Sequence, residues 1–176
     1  MTMKSAGRRA VALAFLWMTA CAAVPPAARV VPSEVDTDDG AFDITARLPG
    51  TVCAGTTVEV TVIMKGRLGI ATYDHSAIDF SIGGRGLLNA RVTPIGGEAQ
   101  ALTFLGEGGT VLARGRRFGP GSRLGFTVRF DIAPEAMMRD LQYQIHATAY
   151  GGAESRNFVR NYVATFVPSG APCPVG

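Results

Sequence analysis

Leu124-Gly125-Phe126-Thr127-Val128-Arg129-Phe130-Asp131-Ile132 sets Leu, Phe, Val, Phe and Ile on one face of an extended chain and Gly, Thr, Arg and Asp on the other. That period of two is the pattern of a strand with one face in a core and one in water, whereas a helix would repeat its apolar residues every three to four positions. The same period recurs on both sides. Phe42, Ile44, Ala46 and Leu48 alternate up to Pro49-Gly50, and Val58, Val60, Val62 and Met64 up to Gly66. Ile78, Phe80 and Ile82 run to Gly83-Gly84-Arg85-Gly86, and Leu88, Ala90 and Val92 lead to Gly96-Gly97. Residues 99–105 and 110–114 flank a glycine-rich turn as a hairpin. Pro134 to Met138 reads as one helical turn with proline at its first position. Leu141, Tyr143, Ile145, Ala147 and Ala149 then form a further strand, and Phe158 to Val167 the last. This spacing predicts an all-β, antiparallel β-sandwich of about seven to nine strands, with a barrel as the alternative.

The 176 residues are 47% hydrophobic and 18% charged, enough apolar material for one core and too little charge for a disordered chain. The formal charge of +3 would suggest an acidic partner, but Lys4, Arg8 and Arg9 account for all of it, and the chain beyond residue 20 is neutral. A basic start, an apolar run from Ala10 to Ala20 and small residues after it make a secretory signal over residues 1–20. The run is far shorter than the roughly 20 residues of a membrane span. A neutral mature body also argues against nucleic-acid binding. Residues 21–40 carry Pro25, Pro26 and Pro32 and then Glu34, Asp36, Asp38 and Asp39, and read as an acidic, proline-rich tether before a domain over residues 41–176.

Met18-Thr19-Ala20-Cys21 resembles a bacterial lipobox, with Met18 where that family usually has Leu. The resemblance implies that Cys21 is lipidated and anchors the chain to a membrane; Ala22, not Asp, in the next position points to the outer membrane, with the domain facing the periplasm. Ordinary signal-peptidase cleavage near Ala20-Cys21-Ala22, giving a soluble periplasmic or secreted protein, is the alternative. With Cys21 set aside, Cys53 and Cys173 remain in a compartment where disulfides persist. Pairing them would close a loop of about 120 residues. A redox pair would lack C-x-x-C spacing, and a metal site would lack nearby histidines.

Pro120-Gly121-Ser122-Arg123, the strand after it, Ile132-Ala133-Pro134-Glu135-Ala136 and Leu141-Gln142-Tyr143-Gln144-Ile145 resemble bacterial immunoglobulin-like or fibronectin-like domains. The resemblance implies an immunoglobulin-like sandwich and a tyrosine corner, in which the Tyr143 hydroxyl bonds backbone; a plain core tyrosine is the alternative. Ile145 stands where an antibody-type cysteine would be, which excludes that inter-sheet bridge.

Chemistry is sparse. Asp74-His75-Ser76 holds the residue types of a hydrolytic triad, yet adjacent side chains diverge and no G-x-S-x-G elbow occurs, so the segment reads as a polar loop. His146 sits on the polar face of its strand. Asp36-Thr37-Asp38-Asp39-Gly40 lacks the later glutamate of a calcium loop. Neither a metal nor a cofactor is expected. Arg114, Arg116, Arg117, Arg123 and Arg129 cluster around one turn in sequence, where guanidinium forks could recognise carboxylate or phosphate or simply keep a hairpin soluble. The chain therefore reads as an exported, lipid-anchored, non-catalytic interaction or scaffold module of the bacterial cell envelope with an envelope-protein partner. A module binding an anionic small molecule or glycan through the arginines is the alternative, and a small periplasmic hydrolase using His75 the third.

Overall fold

Alternating side chains build two sheets whose apolar faces meet. The computed structural model describes residues 30–36, 41–102 and 108–174. The signal segment, Cys21 and all but Asp36 of the calcium-like run lie outside the described residues.

Eleven strands occur among them: β1 (Val30–Asp36), β2 (Phe42–Pro49), β3 (Thr51–Cys53), β4 (Thr57–Gly66), β5 (Tyr73–Gly83), β6 (Leu87–Ile95), β7 (Glu98–Leu102), β8 (Gly108–Phe118), β9 (Arg123–Ile132), β10 (Asp140–Gly151) and β11 (Glu154–Val167). One sheet has the order β1-β2-β4-β9-β6, the other β3-β11-β10-β5-β8-β7. Two separate sheets make this a sandwich and not the alternative barrel.

Leu124, Phe126, Val128, Phe130 and Ile132 of β9 and Val58, Val60, Val62 and Met64 of β4 are buried on the inner face of the first sheet. Ile78, Phe80 and Ile82 of β5 and Leu141, Tyr143, Ile145, Ala147 and Ala149 of β10 face them from the second. Phe80 bridges the layers, its ring centroid 5.7 Å from Phe126 and 5.9 Å from Tyr143. Phe42 meets Phe118 edge-on at 6.3 Å near one end.

Several sequence expectations change. β1 lies inside the segment read as a tether, pairing antiparallel with β2 along its whole length; Pro32 is tolerated there because β1 is an edge strand. β3 is a second strand that periodicity did not reveal, and it runs parallel to β11, so the fold is not wholly antiparallel. β5 begins at Tyr73, which makes Asp74-His75-Ser76 strand and not loop. Pro134 to Met138 is no helical turn: Ala136 N–H donates to the Ala133 carbonyl at 3.0 Å, closing a β-turn. The Tyr143 hydroxyl is buried and makes no hydrogen bond among the described residues, so the backbone bond of a tyrosine corner is not formed there. Burial pushes that phenol above its ordinary pKa.

Cys53 and Cys173 form a disulfide with Cα atoms 6.0 Å apart, closing a loop of 120 residues. Beside it, Ala54 N–H donates to the Val167 carbonyl at 2.9 Å and Thr165 N–H to the Gly50 carbonyl at 3.0 Å.

Two outcomes are expected. Cys53→Ser should lower unfolding free energy in urea by about 2–5 kcal/mol, with reductant doing the same to the parent protein and nothing further to the variant. Tyr143→Phe should be neutral or stabilising by up to about 1 kcal/mol, because it removes a buried hydroxyl that has no partner among the described residues; a corner bond would instead make that substitution costly.

Candidate functional site

The two outer faces differ in charge. On the five-stranded sheet, Arg129 is ion-paired with Glu59 across the β4–β9 ladder. Thr57 and Asn89 donate to the Asp131 carboxylate at 2.7 and 2.8 Å. The Thr57 hydroxyl first, then the Asn89 amide, holds that carboxyl below the usual range. Asn89 adopts φ 53° in a bulge of β6, a backbone shape Asn tolerates better than most residues. Thr61 and Thr127 are bonded at 3.0 Å. Lys65 stands opposite Arg123 and Arg91 opposite Arg129 on the same face, so it is solvated and charged throughout.

The outer face of the six-stranded sheet is different. From Gln142 to Tyr150 on β10 and from Ser155 to Thr165 on β11, every outward side chain is an amide, a hydroxyl, an imidazole or valine. Val159 and Val163 are 48% and 63% exposed. Charge returns only toward β5, β8 and β7. There, a cleft of about 520 Å³ is lined by His75, Glu98, Arg114, Arg116 and Tyr150 around Ala77.

Strand register builds that cleft. Tyr150, His75 and Arg116 stand in one row across β10, β5 and β8; Thr148, Ala77, Arg114 and Glu98 stand in the next, across β10, β5, β8 and β7. Ala77 keeps the floor low between larger neighbours. The His75 and Tyr150 rings lie 5.1 Å apart at 31°. Two exposed guanidinium groups two residues apart on β8, beside an imidazole and a phenol, offer hydrogen-bond donors converging on an anionic group. Glu98 opposite Arg114 closes one side with a carboxylate.

The fold divides the five arginines that sequence groups together. Arg114 and Arg116 reach the cleft. Arg117, with φ 53°, is exposed near the end of β8 and outside it. Arg123 and Arg129 lie on β9, in the other sheet, opposite Lys65 and Glu59. Asp43 pairs instead with Arg67, at 2.6 Å. Asp74-His75-Ser76 is likewise split: His75 faces outward, while Ser76 is buried with its hydroxyl 3.4 Å from the Gly115 carbonyl, so no Ser–His hydrogen bond forms. His146 stands on the outer face opposite Asp79, as a surface histidine. Among the described residues, no three His, Cys, Asp or Glu side chains group as metal ligands.

Sequence reasoning missed Glu98, Tyr150 and Gly97. The available signal was Gly96-Gly97, read only as a turn. This pair carries the chain from one sheet to the other, with φ 64° and 74°. A Cβ at Gly97 would lie 2.4 Å from the Arg114 carbonyl oxygen, and one at Gly96 2.2 Å from that of Arg123. Gly97→Ala should therefore cost at least about 2 kcal/mol in thermal or urea unfolding. Gly152→Ala, at φ 58° with open space around it, should cost only about 1 kcal/mol.

No family model and no curated protein matches the chain. Among solved structures, it is similar to the cohesin module from a Clostridium perfringens ATCC13124 family 33 glycoside hydrolase, at 14% identity and TM-score 0.47, over 74% of this chain and 99% of that one. It is also similar to AvmM, which catalyses macrocyclization in alchivemycin A biosynthesis, at 10% identity and TM-score 0.45, over 80% of this chain and 99% of that one. The GAE domain of GGA2p from Saccharomyces cerevisiae aligns at 5% identity and TM-score 0.39, over 78% of this chain and 100% of that one. At these identities and scores the likeness concerns the path of the chain and assigns it no activity, ligand or partner.

Proposed function

We propose that the protein is an exported, lipid-anchored, non-catalytic binding module of the bacterial cell envelope, with an immunoglobulin-like sandwich presenting the outer face of its six-stranded sheet to an envelope protein. Cys21 would hold the chain at the outer membrane with the domain in the periplasm. The observation that carries the reading is the charge contrast between the two outer faces. Interface cores are depleted of charge relative to the rest of a surface, and the outward positions of β10 and β11 are depleted in that way. The cleft at the β5–β8–β7 corner would fix the partner's orientation, with Arg114 and Arg116 gripping a carboxylate or phosphate at the rim.

A second reading has its own support in the His75–Tyr150 ring pair beside the two guanidinium groups. That arrangement suits an anionic glycan, whose ring would lie on the aromatic side chains and whose acid group would meet the arginines.

Crosslinking in producing cells tests the main reading. Arg114→Glu with Arg116→Glu should reduce the crosslinked complex by about tenfold or more, while Arg117→Glu leaves it unchanged. Cys21→Ser should release the protein from the membrane fraction. Absence of any complex, or a complex indifferent to Arg114 and Arg116, would overturn the partner assignment; a serine variant that stays membrane-bound would overturn the anchor.

A further inference from the structure

The sheet edges are unequally guarded. An open edge exposes backbone N–H and C=O groups to any extended chain, and proteins blunt it with proline, bulges or shortness. β1 carries Pro32, β6 carries Pro94 and a bulge after Leu88, and β7 and β3 have five and three residues. β11 is the exception. It has 14 residues and pairs with β10 without a register shift, but β3 covers only Thr165–Val167 on its other side. Among the described residues, no strand lies against Glu154–Ala164 there, and that stretch contains neither proline nor lysine.

The direction of the unused groups follows from the ladder. Thr165 N–H bonds Gly50, on the side away from β10. Backbone groups alternate sides along a strand, so those of Val163, Asn161, Val159, Asn157 and Ser155 point to the open side. Their side chains share the uncharged outer face.

We infer that this edge pairs antiparallel with the same edge of a second copy, on a two-fold axis at Val159, joining the two six-stranded sheets into one continuous sheet. The sequence of β11 is complementary to itself in that register. Val159 meets Val159, Asn157 meets Asn161 and Ser155 meets Val163; on the inner side Phe158 meets Arg160 and Arg156 meets Tyr162. Within one chain, Arg160 already lies over the Phe158 ring at 5.5 Å, and guanidinium groups favour aromatic faces. A shift of the axis to Phe158 sets Arg156 against Arg160, and a shift to Arg160 sets that arginine against itself; like charges directly opposite are destabilising. The arginines thus disfavour the two neighbouring registers instead of blocking pairing. A pair spanning Glu154–Ala164 closes under its own symmetry, leaving no growing edge. The inference is independent of the cleft, whose lining residues include none from β11.

Sedimentation of the full chain over a concentration series tests it. The parent protein should show a monomer–dimer equilibrium. Val159→Pro removes an N–H that bonds nothing among the described residues, and should raise the dissociation constant at least about tenfold without loss of the folded state. Val159→Lys, which sets two ammonium groups together on the axis, should do the same and serves if the proline variant fails to fold. A spin label at residue 159 should be broadened by its twin in the dimer, one at residue 146 much less. A parent protein that stays monomeric throughout overturns the proposal, even if its edge takes up an unrelated extended peptide; so does a dimer that survives both substitutions or shows no broadening at 159.

Discussion

The contact of Phe80 with Phe126 across the interior fixes the rest of the molecule. Phe80 belongs to β5 and Phe126 to β9, and their rings touch because every second residue of each strand points inward. A slip of one residue in either strand would turn its whole apolar set to water. Once the inner set is fixed, so is the outer one. His75, Ala77, Arg114 and Arg116 line a cleft because Ser76, Ile78 and Ala113 are committed to the interior. The site is thus a by-product of core packing, set by the same parity.

Parity is also what made most of the fold legible in sequence. β2, β4, β9 and β10 alternate without interruption, each with one buried face, and their existence follows from residue order alone. β3 is too short to show a period, and β1 has a proline and acidic residues where an apolar face would be expected. Both owe their place to backbone pairing with a neighbour, a non-local interaction that periodicity does not encode. The turn after β9 misled for a related reason: proline opens a β-turn as readily as a helix. Tyr143 resembles a corner tyrosine in spacing, but its ring stacks on Phe80 and takes the hydroxyl with it.

The site was half legible. Arg114, Arg116 and His75 stood out by residue type, but adjacency in sequence grouped them wrongly. A turn between sheets separates residues that follow one another, as Arg123 and Arg129 show; a ladder gathers residues far apart, as Tyr150, His75 and Arg116 show. Glu98 reaches the cleft only because Gly96-Gly97 lets the chain cross the corner in two residues. The charge of the chain follows the same logic. Its excess sits in the first nine residues, and the neutral remainder is sorted by strand parity into one charged outer face and another whose β10–β11 half carries no charge.

The bridge between Cys53 and Cys173 has a mechanical consequence. β11 is the last strand, and a tail pulled from its end would ordinarily unzip it from β10 one hydrogen bond at a time. Here, tension applied beyond Cys173 passes through the sulfur atoms to Cys53 and the short parallel ladder of β3 before it reaches β11. Load is taken in shear by covalent bonds near the base of the sheet, and the strand with the longest open edge cannot be peeled from its C-terminal end while the bridge is intact.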